Sequence, residues 1–543
     1  NIAMSKNITT CLLRTLPLLS LWLIVSAASS AQTACPAILS TVNQACNYSG
    51  NIDLTIEQAG GVLNDDPQSA GYGIRIGSSL SAMLENNGEI TVIRPVGAGA
   101  GIGVEFASIT ATGNIINNGQ VTVSENDGID SVIGFKGADI NGSIENFGDI
   151  SVTANNNLAT ALGIVVANLN NGGQILNQGD INTTTGAGGL AGSALGIDIA
   201  NIALGAGVTN TGKLISTATA SNQAEAEGLR VDTLNGSIDN SGVINVTAST
   251  SNSSGSVSTQ GTAFGIVVNK IEGTGTITNS GTITASDLSA LMGISNQDVA
   301  GIQIGRVSSD NVTIRNSGTI TAEASSDGIM AYALDINSDF PGQSTATIVN
   351  SSSGLLDGDL RIVGDISLEN SGTIIGGGTI GGDYNITATG LHLVNAKSTT
   401  SYDQLSVAGG VSIAANGAVG VNVDTDTQAY VIGGQTYQDV ISAGTLSVVG
   451  PLASDTGSII WQAVAVDDAS NNIDVTVGLV TQADIAPGQV VNEGNQFALR
   501  VPDTGGLEPV TINNAGIIEG DVNLGDSVLN MQGQSSAVNG RIS

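Results

Sequence analysis

Apolar and polar residues alternate along most of the chain in short runs that glycine or asparagine interrupts. One repeating unit contains three such runs, from Gly265 to Val268, from Gly275 to Thr278 and from Thr282 to Ala285. Alternation with a period of two is typical of a β-strand that buries one face. The pattern therefore predicts three short strands per unit. Within the third strand we expect Ile283 to be buried and both flanking threonines to point outward.

Two sequence anchors recur with the same period. The first is Asn-x-Gly followed by alternating apolar residues, and a stretched copy runs from Asn350 to Gly354. Its asparagines, predicted to be structural turn residues, are Asn86, Asn117, Asn146, Asn177, Asn210, Asn240, Asn279, Asn316 and Asn370. The second anchor is Gly followed by apolar-x-apolar, beginning at Gly73, Gly101, Gly163, Gly196, Gly228, Gly265 and Gly301. Successive copies lie mostly about 27–39 residues apart.

Self-similarity at such a period is typical of a solenoid. One unit cannot bury its own apolar face, but stacked units can, because each strand pairs in parallel with its copies above and below. The sequence therefore predicts an all-β fold, a right-handed parallel β-helix with about three strands per coil and its repeats over 73–383. About ten coils at roughly 4.8 Å each predict a rod section near 50 Å long.

The Asn-x-Gly anchor has two predicted physical roles. Both residues tolerate the left-handed backbone conformation that we expect at a sharp corner. Identical asparagines stacked coil on coil can also form a ladder of side-chain amides. Unit length varies after the third strand, as between Ala248 and Thr262. Insertions confined to one corner predict loops along one edge, which solenoids often use for binding.

The N-terminal segment has the layout of a secretory signal peptide. Lys6 and Arg14 precede an apolar run from Leu16 to Ala28, and small residues lead up to Ala31. This predicts a signal peptide over 1–31, whereas a membrane anchor would need a longer apolar stretch. In the exported chain Cys35 and Cys46 form an even pair, so we expect a disulfide in an N-terminal cap over 32–72.

Composition and charge argue against a protein that binds nucleic acid or anionic membranes. The chain has 74 Gly, 9 Pro and 3% aromatic residues, with 47 acidic residues against 14 Lys and Arg. Such a polyanion is expected to repel nucleic acid and anionic membrane surfaces. The expected partner is instead a surface ligand such as a glycan, a matrix protein or a sister cell.

The region 384–480 loses the Asn-x-Gly corner and has longer strands. It contains the run from Tyr402 to Gly409, the run from Gly434 to Gly444, and an asparagine turn at Asn471 that leads into a strand. This succession resembles the membrane-proximal stem of autotransporter passenger domains. The resemblance implies a cell-surface protein with an autochaperone-like stem that folds first and templates the coils upstream. It also implies an outer-membrane β-barrel downstream, because 481–543 is interpreted as a linker and the start of further β-helical repeats that stop in mid-pattern.

Catalytic constellations are scarce. The single histidine, His392, lies outside the clear repeats, and Gly525-Asp526-Ser527-Val528 only faintly resembles a lipase serine motif. Acidic pairs occur at Asp65-Asp66, Asp357 with Asp359, Asp424 with Asp426, and Asp467-Asp468. We interpret them as solvated turn residues, with weak Ca²⁺ binding as the alternative. The run Gly376 to Gly378 lacks the lysine of a phosphate loop and is interpreted as a turn. No catalytic, cofactor or metal residue is therefore predicted.

Three functions remain open. The favoured one is a non-catalytic adhesin or structural rod on the surface of a bacterium. A polysaccharide lyase or glycoside hydrolase is disfavoured by the scarcity of His, Arg and aromatic residues. A passive biofilm or surface-layer scaffold is not separable from adhesion on sequence.

Overall fold

The computed structural model shows a parallel β-helix, as predicted. It describes residues 33–34, 38–39, 46–48, 53–57, 61–64, 71–94, 100–125, 131–155, 158–186, 189–251, 260–289, 298–309, 312–324, 330–338, 346–398, 400–423, 431, 434–491, 498–501, 509–525, 527–532 and 536–543. The predicted signal peptide and Cys35 lie outside the described residues. Within those residues no helix occurs that could cross a membrane.

Each coil contributes one strand to each of three faces, and strands are numbered in chain order. The first face contains β1 (Thr33–Ala34), β3 (Cys46–Tyr48), β6 (Tyr72–Leu80), β9 (Gly101–Ile109), β12 (Ser131–Ile140), β15 (Leu158–Leu169), β18 (Ala191–Ile202), β21 (Gln223–Leu234), β24 (Gln260–Ile271), β27 (Asp298–Ile304), β30 (Met330–Ile336), β33 (Asp359–Ile362), β36 (Gly378–Ile380) and parts of β39 (Leu405–Ile413) and β41 (Thr436–Val448).

The second face is built mostly from strands of four residues. It contains β2 (Ile38–Leu39), β4 (Leu54–Ile56), β7 (Met83–Asn86), β10 (Asn114–Asn117), β13 (Ser143–Asn146), β16 (Gln174–Asn177), β19 (Gly207–Asn210), β22 (Ser237–Asn240), β25 (Thr276–Asn279), β28 (Thr313–Asn316), β31 (Thr347–Asn350), β34 (Ser367–Asn370) and β37 (Tyr384–Ile386).

The third face is a sheet of 13 parallel strands. It contains β5 (Gly61–Asn64), β8 (Glu89–Arg94), β11 (Gln120–Glu125), β14 (Asp149–Ala154), β17 (Asp180–Thr185), β20 (Lys213–Ala220), β23 (Val243–Thr250), β26 (Thr282–Asp287), β29 (Thr319–Ala324), β32 (Leu355–Asp357), β35 (Thr373–Ile375), β38 (Leu391–Asn395) and β40 (Ala418–Asn422). At about 4.8 Å between strands, this sheet is roughly 58 Å long.

The core is a column of aliphatic side chains inside the coils. Ile283 is fully buried, while Thr282 and Thr284 are partly exposed, which confirms the predicted inward and outward positions. On the second face, in-register pairing stacks Ile277 on Ile238 and under Ile314. Burial of each such side chain contributes about 1.5–3 kcal/mol relative to exposure. Stacking like on like lets every coil use the same packing solution.

One register expectation was wrong. The structure pairs Ile74 with Val104, so the glycine equivalent to Gly73 is Gly103 and not Gly101. Both glycines precede an apolar residue in the same strand, and sequence alone did not separate them. The coil after Gly103 also carries the anchor, at Gly134, where Phe135 pairs with Val104.

Parallel stacking continues into the region that resembles a stem. The second half of β39 pairs in parallel with β37, and β41 pairs in parallel with β39. There the pattern changes, because β42 (Trp461–Asp467) and β43 (Asn472–Leu479) pair antiparallel with each other and β43 pairs antiparallel with β41. A second, smaller set of parallel strands follows: β44 (Gln482–Ile485), β45 (Val490–Val491), β46 (Leu499–Arg500), β47 (Thr511–Asn514), β48 (Ile517–Ile518), β49 (Val522–Asn523), β50 (Val528–Met531) and β51 (Ala537–Val538).

Candidate binding face and the asparagine column

The nine predicted turn asparagines lie in one buried column. Each side-chain amide donates to the Oδ1 atom of the next asparagine, and Asn350 takes part as well. The donor–acceptor distances from Asn86 through Asn117, Asn146, Asn177, Asn210, Asn240, Asn279, Asn316 and Asn350 to Asn370 are 2.7, 2.7, 2.8, 2.7, 2.7, 2.7, 2.8, 2.9 and 2.8 Å. The predicted amide ladder is confirmed, and all its amides point the same way along the rod.

Both ends of the column are closed by isoleucine. Ile56 occupies the asparagine position one coil before Asn86, and Ile386 occupies it one coil after Asn370. At the second end, the Asn370 amide donates to the Leu391 carbonyl at 3.0 Å and lies 3.5 Å from the Tyr384 hydroxyl. Because buried amides without partners are costly, these contacts complete the column.

The predicted left-handed corner was wrong. Among the described residues, none of the Asn-x-Gly asparagines or glycines has a positive φ. The glycine is required for a different reason. A Cβ atom added to Gly179 would lie 1.9 Å from the carbonyl oxygen of Gly148 in the preceding coil, and one added to Gly148 would lie 1.9 Å from that of Gly119. Consecutive corners therefore touch backbone to backbone, which leaves no space for a side chain.

The first face carries a column of ten stacked residues, seven of which are charged, and we call it the charge column. Each member lies one residue after an inward apolar residue, and the members stack in register: Arg75, Glu105, Lys136, Val165, Asp198, Arg230, Val267, Gln303, Asp335 and Arg361. Four of the 12 Lys and Arg residues that follow the predicted signal peptide lie here. Alternation of sign avoids the repulsion that identical stacked charges would cause. No single residue type recurs in this column, so the sequence pattern did not predict it.

Arg230 is the centre of one cluster in this column. Its guanidinium lies 2.9 Å from Asp198 and 3.2 Å from Glu227. Burial opposes the charge on Arg230, but the two carboxylates outweigh that effect and hold its pKa above the ordinary value. The pKa of the neighbouring Asp232 is raised, mainly by burial. The charges of Arg230, Asp198 and Glu227 are therefore paired with one another.

Arg361 is the centre of a second cluster. It contacts Asp335 through two hydrogen bonds of 2.6 Å, lies 2.8 Å from Asp298, and stacks over the ring of Tyr332 at 4.3 Å. The hydrogen bonds to Asp335 raise the pKa of Arg361 despite partial burial. The Asp335 side chain is only 1% exposed, so this carboxylate depends on its partner.

A cavity of about 230 Å³ lies where the chain enters the first face from the third. It is lined by Thr160, Ser193, Gln223 and Glu225, and by Leu158, which is 54% exposed. This corner is the one at which the sequence predicted insertions. Hydroxyl, amide and carboxylate groups beside an exposed leucine suit a hydroxyl-rich or amide-rich ligand. We call it the corner groove.

The remaining predicted positions are structural. His392 is fully buried, with Nδ1 3.0 Å from the Tyr384 hydroxyl; burial lowers its pKa to about 4, although a backbone hydrogen bond with Gly376 opposes this. The Ser527 hydroxyl accepts the Val510 amide, and Asp468 accepts the amides of Ser470 and Asn472 in a turn.

Of the other predicted residues, some have structural roles and some lie outside the described residues. Asp359 accepts the Gly377 amide at 2.8 Å, and Gly376 and Gly378 have positive φ values, as a turn requires. Asp65-Asp66 and Asp424 with Asp426 lie outside the described residues, as does Cys35, the proposed partner of Cys46. In the described part of the chain, no three His, Cys, Asp or Glu side chains are grouped to hold a metal ion.

The fold and the column define the chain as a parallel β-helix of the stacked-asparagine type. No protein-family model matches the chain, and a comparison with curated proteins finds no relative.

Proposed function

We propose that the chain is an exported bacterial surface protein, an adhesive or structural rod that binds through the corner groove without catalysis. The observation that carries the proposal is the ten-asparagine column from Asn86 to Asn370, which hydrogen-bonds ten consecutive coils to one another along the rod. A rigid rod holds a binding edge far from its attachment point at little entropic cost. The groove on the corner that receives the insertions supports binding at that edge.

Export and attachment form the second part of the proposal. The signal-like segment 1–31 and the resemblance of 384–480 to an autotransporter stem support passage to the cell surface and attachment through a downstream barrel. The stem would fold first, and its antiparallel β42–β43 pair, which ends the long parallel stack, would provide a closed surface for that start. Fusing 1–31 to a periplasmic reporter should direct it across the inner membrane; a cytoplasmic reporter would contradict the export step.

Ligand binding is tested on arrays of glycans and matrix proteins, with release of reducing sugar measured alongside. Ser193→Arg places a large charged side chain in the corner groove. Thr209→Arg is the matched control, because Thr209 is a partly exposed residue of the second face. We expect wild type and Thr209→Arg to bind the same ligand and Ser193→Arg to lose it.

Two other outcomes would change the proposal. Release of reducing sugar by wild type would favour a polysaccharide-degrading enzyme. Binding that survives in Ser193→Arg would move the ligand away from the groove, and the absence of any ligand would favour a passive scaffold.

A further inference from the structure

The outward side of the third face carries a regular array of side chains in which nine of twelve residues are serine or threonine. Two outward columns run in register from β11 to β26. The first contains Thr122, Ser151, Asn182, Ile215, Asn245 and Thr284, and the second contains Ser124, Thr153, Thr184, Thr217, Thr247 and Ser286. The second column carries a hydroxyl in every coil, whereas the first is interrupted by two asparagines and one isoleucine.

The hydroxyls of this array are available to a ligand. All twelve side chains are partly or fully exposed. Among the described residues, no hydrogen bond uses the hydroxyl of Thr153, Thr184, Thr217 or Thr247, nor of the other serines and threonines in the two columns. Elsewhere on the rod, stacked polar side chains bond to each other, as Asn201 does to Asn168 at 2.8 Å. The hydroxyls of the array can therefore hydrogen-bond to a partner on the solvent side.

Neither column contains an acidic or basic residue between β11 and β26. This is unusual in a chain with a formal net charge of −33. The outward column beside them, at the start of the same strands, does carry charge, at Asp149, Asp180 and Lys213. The two uncharged columns on a strongly anionic molecule are complementary to a neutral partner. A second copy of the chain does not meet that condition, because the two anionic rods would repel each other.

The columns also lack Trp, Tyr and Phe. Flat sugar surfaces are usually gripped by aromatic rings as well as by hydroxyls, and this face provides none. What it provides is a periodic set of groups that both donate and accept hydrogen bonds. The partner that matches this chemistry is ordered water.

The repeat distance of the array agrees with that of ice. Hydrogen-bonded oxygens lie about 2.75 Å apart, so tetrahedral geometry puts second-neighbour water oxygens at about 4.5 Å. Strands in a sheet lie about 4.8 Å apart, which sets the spacing of hydroxyls along each column. The difference of roughly 0.3 Å per row accumulates to less than half a repeat over six rows. A rigid face of this kind loses little entropy when it orders water against it.

We propose that the third face, over β11 to β26, binds the surface of ice through its hydroxyl columns. This activity is independent of ligand binding at the corner groove, which lies on the neighbouring face. Hydroxyls such as those of Thr184 and Thr217 hydrogen-bond to lattice water, and the threonine methyl groups fill the spaces between rows.

The test is incorporation of the full chain into slowly growing polycrystalline ice, in the presence of an inert protein of similar size and charge. We expect the chain to be enriched in the ice fraction and the inert protein to be excluded. Thr184→Tyr with Thr217→Tyr disrupts the flat face and should return the chain to the liquid fraction. Thr209→Tyr, on the second face, is the matched control and should remain in the ice. Circular dichroism checks that all variants keep the strand signal.

Several outcomes would overturn the inference. They are exclusion of wild type from ice, equal incorporation of the third-face and second-face variants, and retention of wild type on crystalline cellulose or chitin with no retention in ice. Concentration-dependent dimerisation that the Thr184 and Thr217 changes abolish would assign the face to a second copy of the chain instead. In the ice experiment, Thr217→Val removes the hydroxyl and Thr217→Ser removes the methyl group, so the two variants separate the contributions of these groups to incorporation.

Discussion

The hydroxyl of Tyr384 lies 3.0 Å from Nδ1 of His392, at the point where the asparagine column ends. Tyr384 replaces the aliphatic residue of the second-face stack, pairing with Leu368 of the coil before. Its hydroxyl accepts a hydrogen bond from the Asn370 amide at 3.5 Å, so the last amide of the column has a buried acceptor. The pair thus completes the polar column inside an apolar core.

Tyr384→Phe removes this hydroxyl and leaves Nδ1 of His392 without its partner. Loss of a hydrogen bond to a buried group costs about 1–3 kcal/mol, and the ring packing is retained. We expect the midpoint of urea denaturation to fall. Tyr402→Phe is the control, because the Tyr402 hydroxyl bonds the Gln438 carbonyl at 2.9 Å in an exposed position. Equal effects of the two changes would contradict the role of the buried pair.

Stability is expected to fall as the pH is lowered from about 6.5 to about 4. Burial lowers the pKa of His392 to about 4, below its ordinary value of 6.5. The unfolded chain therefore binds a proton in this window that the folded chain does not, so folding loses roughly 3 kcal/mol across it. Below about pH 4 both states are protonated and this contribution stays constant.

His392→Asn provides the comparison, since the chain has only this histidine. Burial raises the pKa of Asp287, and that effect has the opposite sign, because folding then gains stability as the pH falls. The difference between wild type and His392→Asn isolates the histidine. A pH-independent difference between pH 6.5 and 4 would contradict the assignment.

Asn210→Ala should interrupt the asparagine column. The Asn177 amide would lose its acceptor at 2.7 Å, and Asn240 would lose its donor. The Asn177 amide would keep only its bond to the Lys213 carbonyl at 3.2 Å, and Oδ1 of Asn240 would be unsatisfied. We therefore expect a loss of about 2–4 kcal/mol, measured by urea denaturation. Asn201→Ala removes an exposed stacked amide and should cost about 0.5 kcal/mol or less. A small effect at both sites would show that the column adds little to stability.

The corner glycines should not tolerate any side chain. Gly179→Ala would bring Cβ within 1.9 Å of the Gly148 carbonyl, so two coils must separate. We expect a loss of about 3 kcal/mol or more, because backbone cannot move aside as a flexible side chain does. Gly77→Ala is the control, since an added Cβ there meets no atom within 4 Å. Thermal denaturation of the two variants compares them directly.

The sequence predicted the repeat, the inward positions and the amide ladder because each depends on one residue type recurring in register. It did not predict the reason for the corner glycines, since that depends on the distance between backbones of different coils. The contact between Tyr384 and His392 joins two faces and has no repeating counterpart. The charge column could have been found by aligning the residues between the apolar positions, as Asp198 and Arg230 show. Because the anchor was placed at Gly101 and not at Gly103, the sequence did not align Glu105 with Arg75.

Arg361→Met should destabilise the chain strongly. It leaves the carboxylate of Asp335, 1% exposed, without its ion-pair partner, although Gln303 still donates to it at 3.0 Å. Removing one partner of a buried pair costs about 3–5 kcal/mol, measured by urea denaturation. Arg75→Met is the control, because the Arg75 side chain is 50% exposed and such pairs contribute at most about 1 kcal/mol.

A double variant separates the two possible origins of this loss. If the loss of stability comes from the unpaired Asp335 carboxylate, the double variant Arg361→Met with Asp335→Leu should recover most of the stability. The reason is that apolar replacement of a buried ion pair is often neutral. If it comes from lost packing of the guanidinium over the Tyr332 ring, which lies 4.3 Å away, the double variant should be as unstable as the single one. Because the Asp335 carboxylate is shielded from solvent, we expect recovery, and we expect added salt to change the result little.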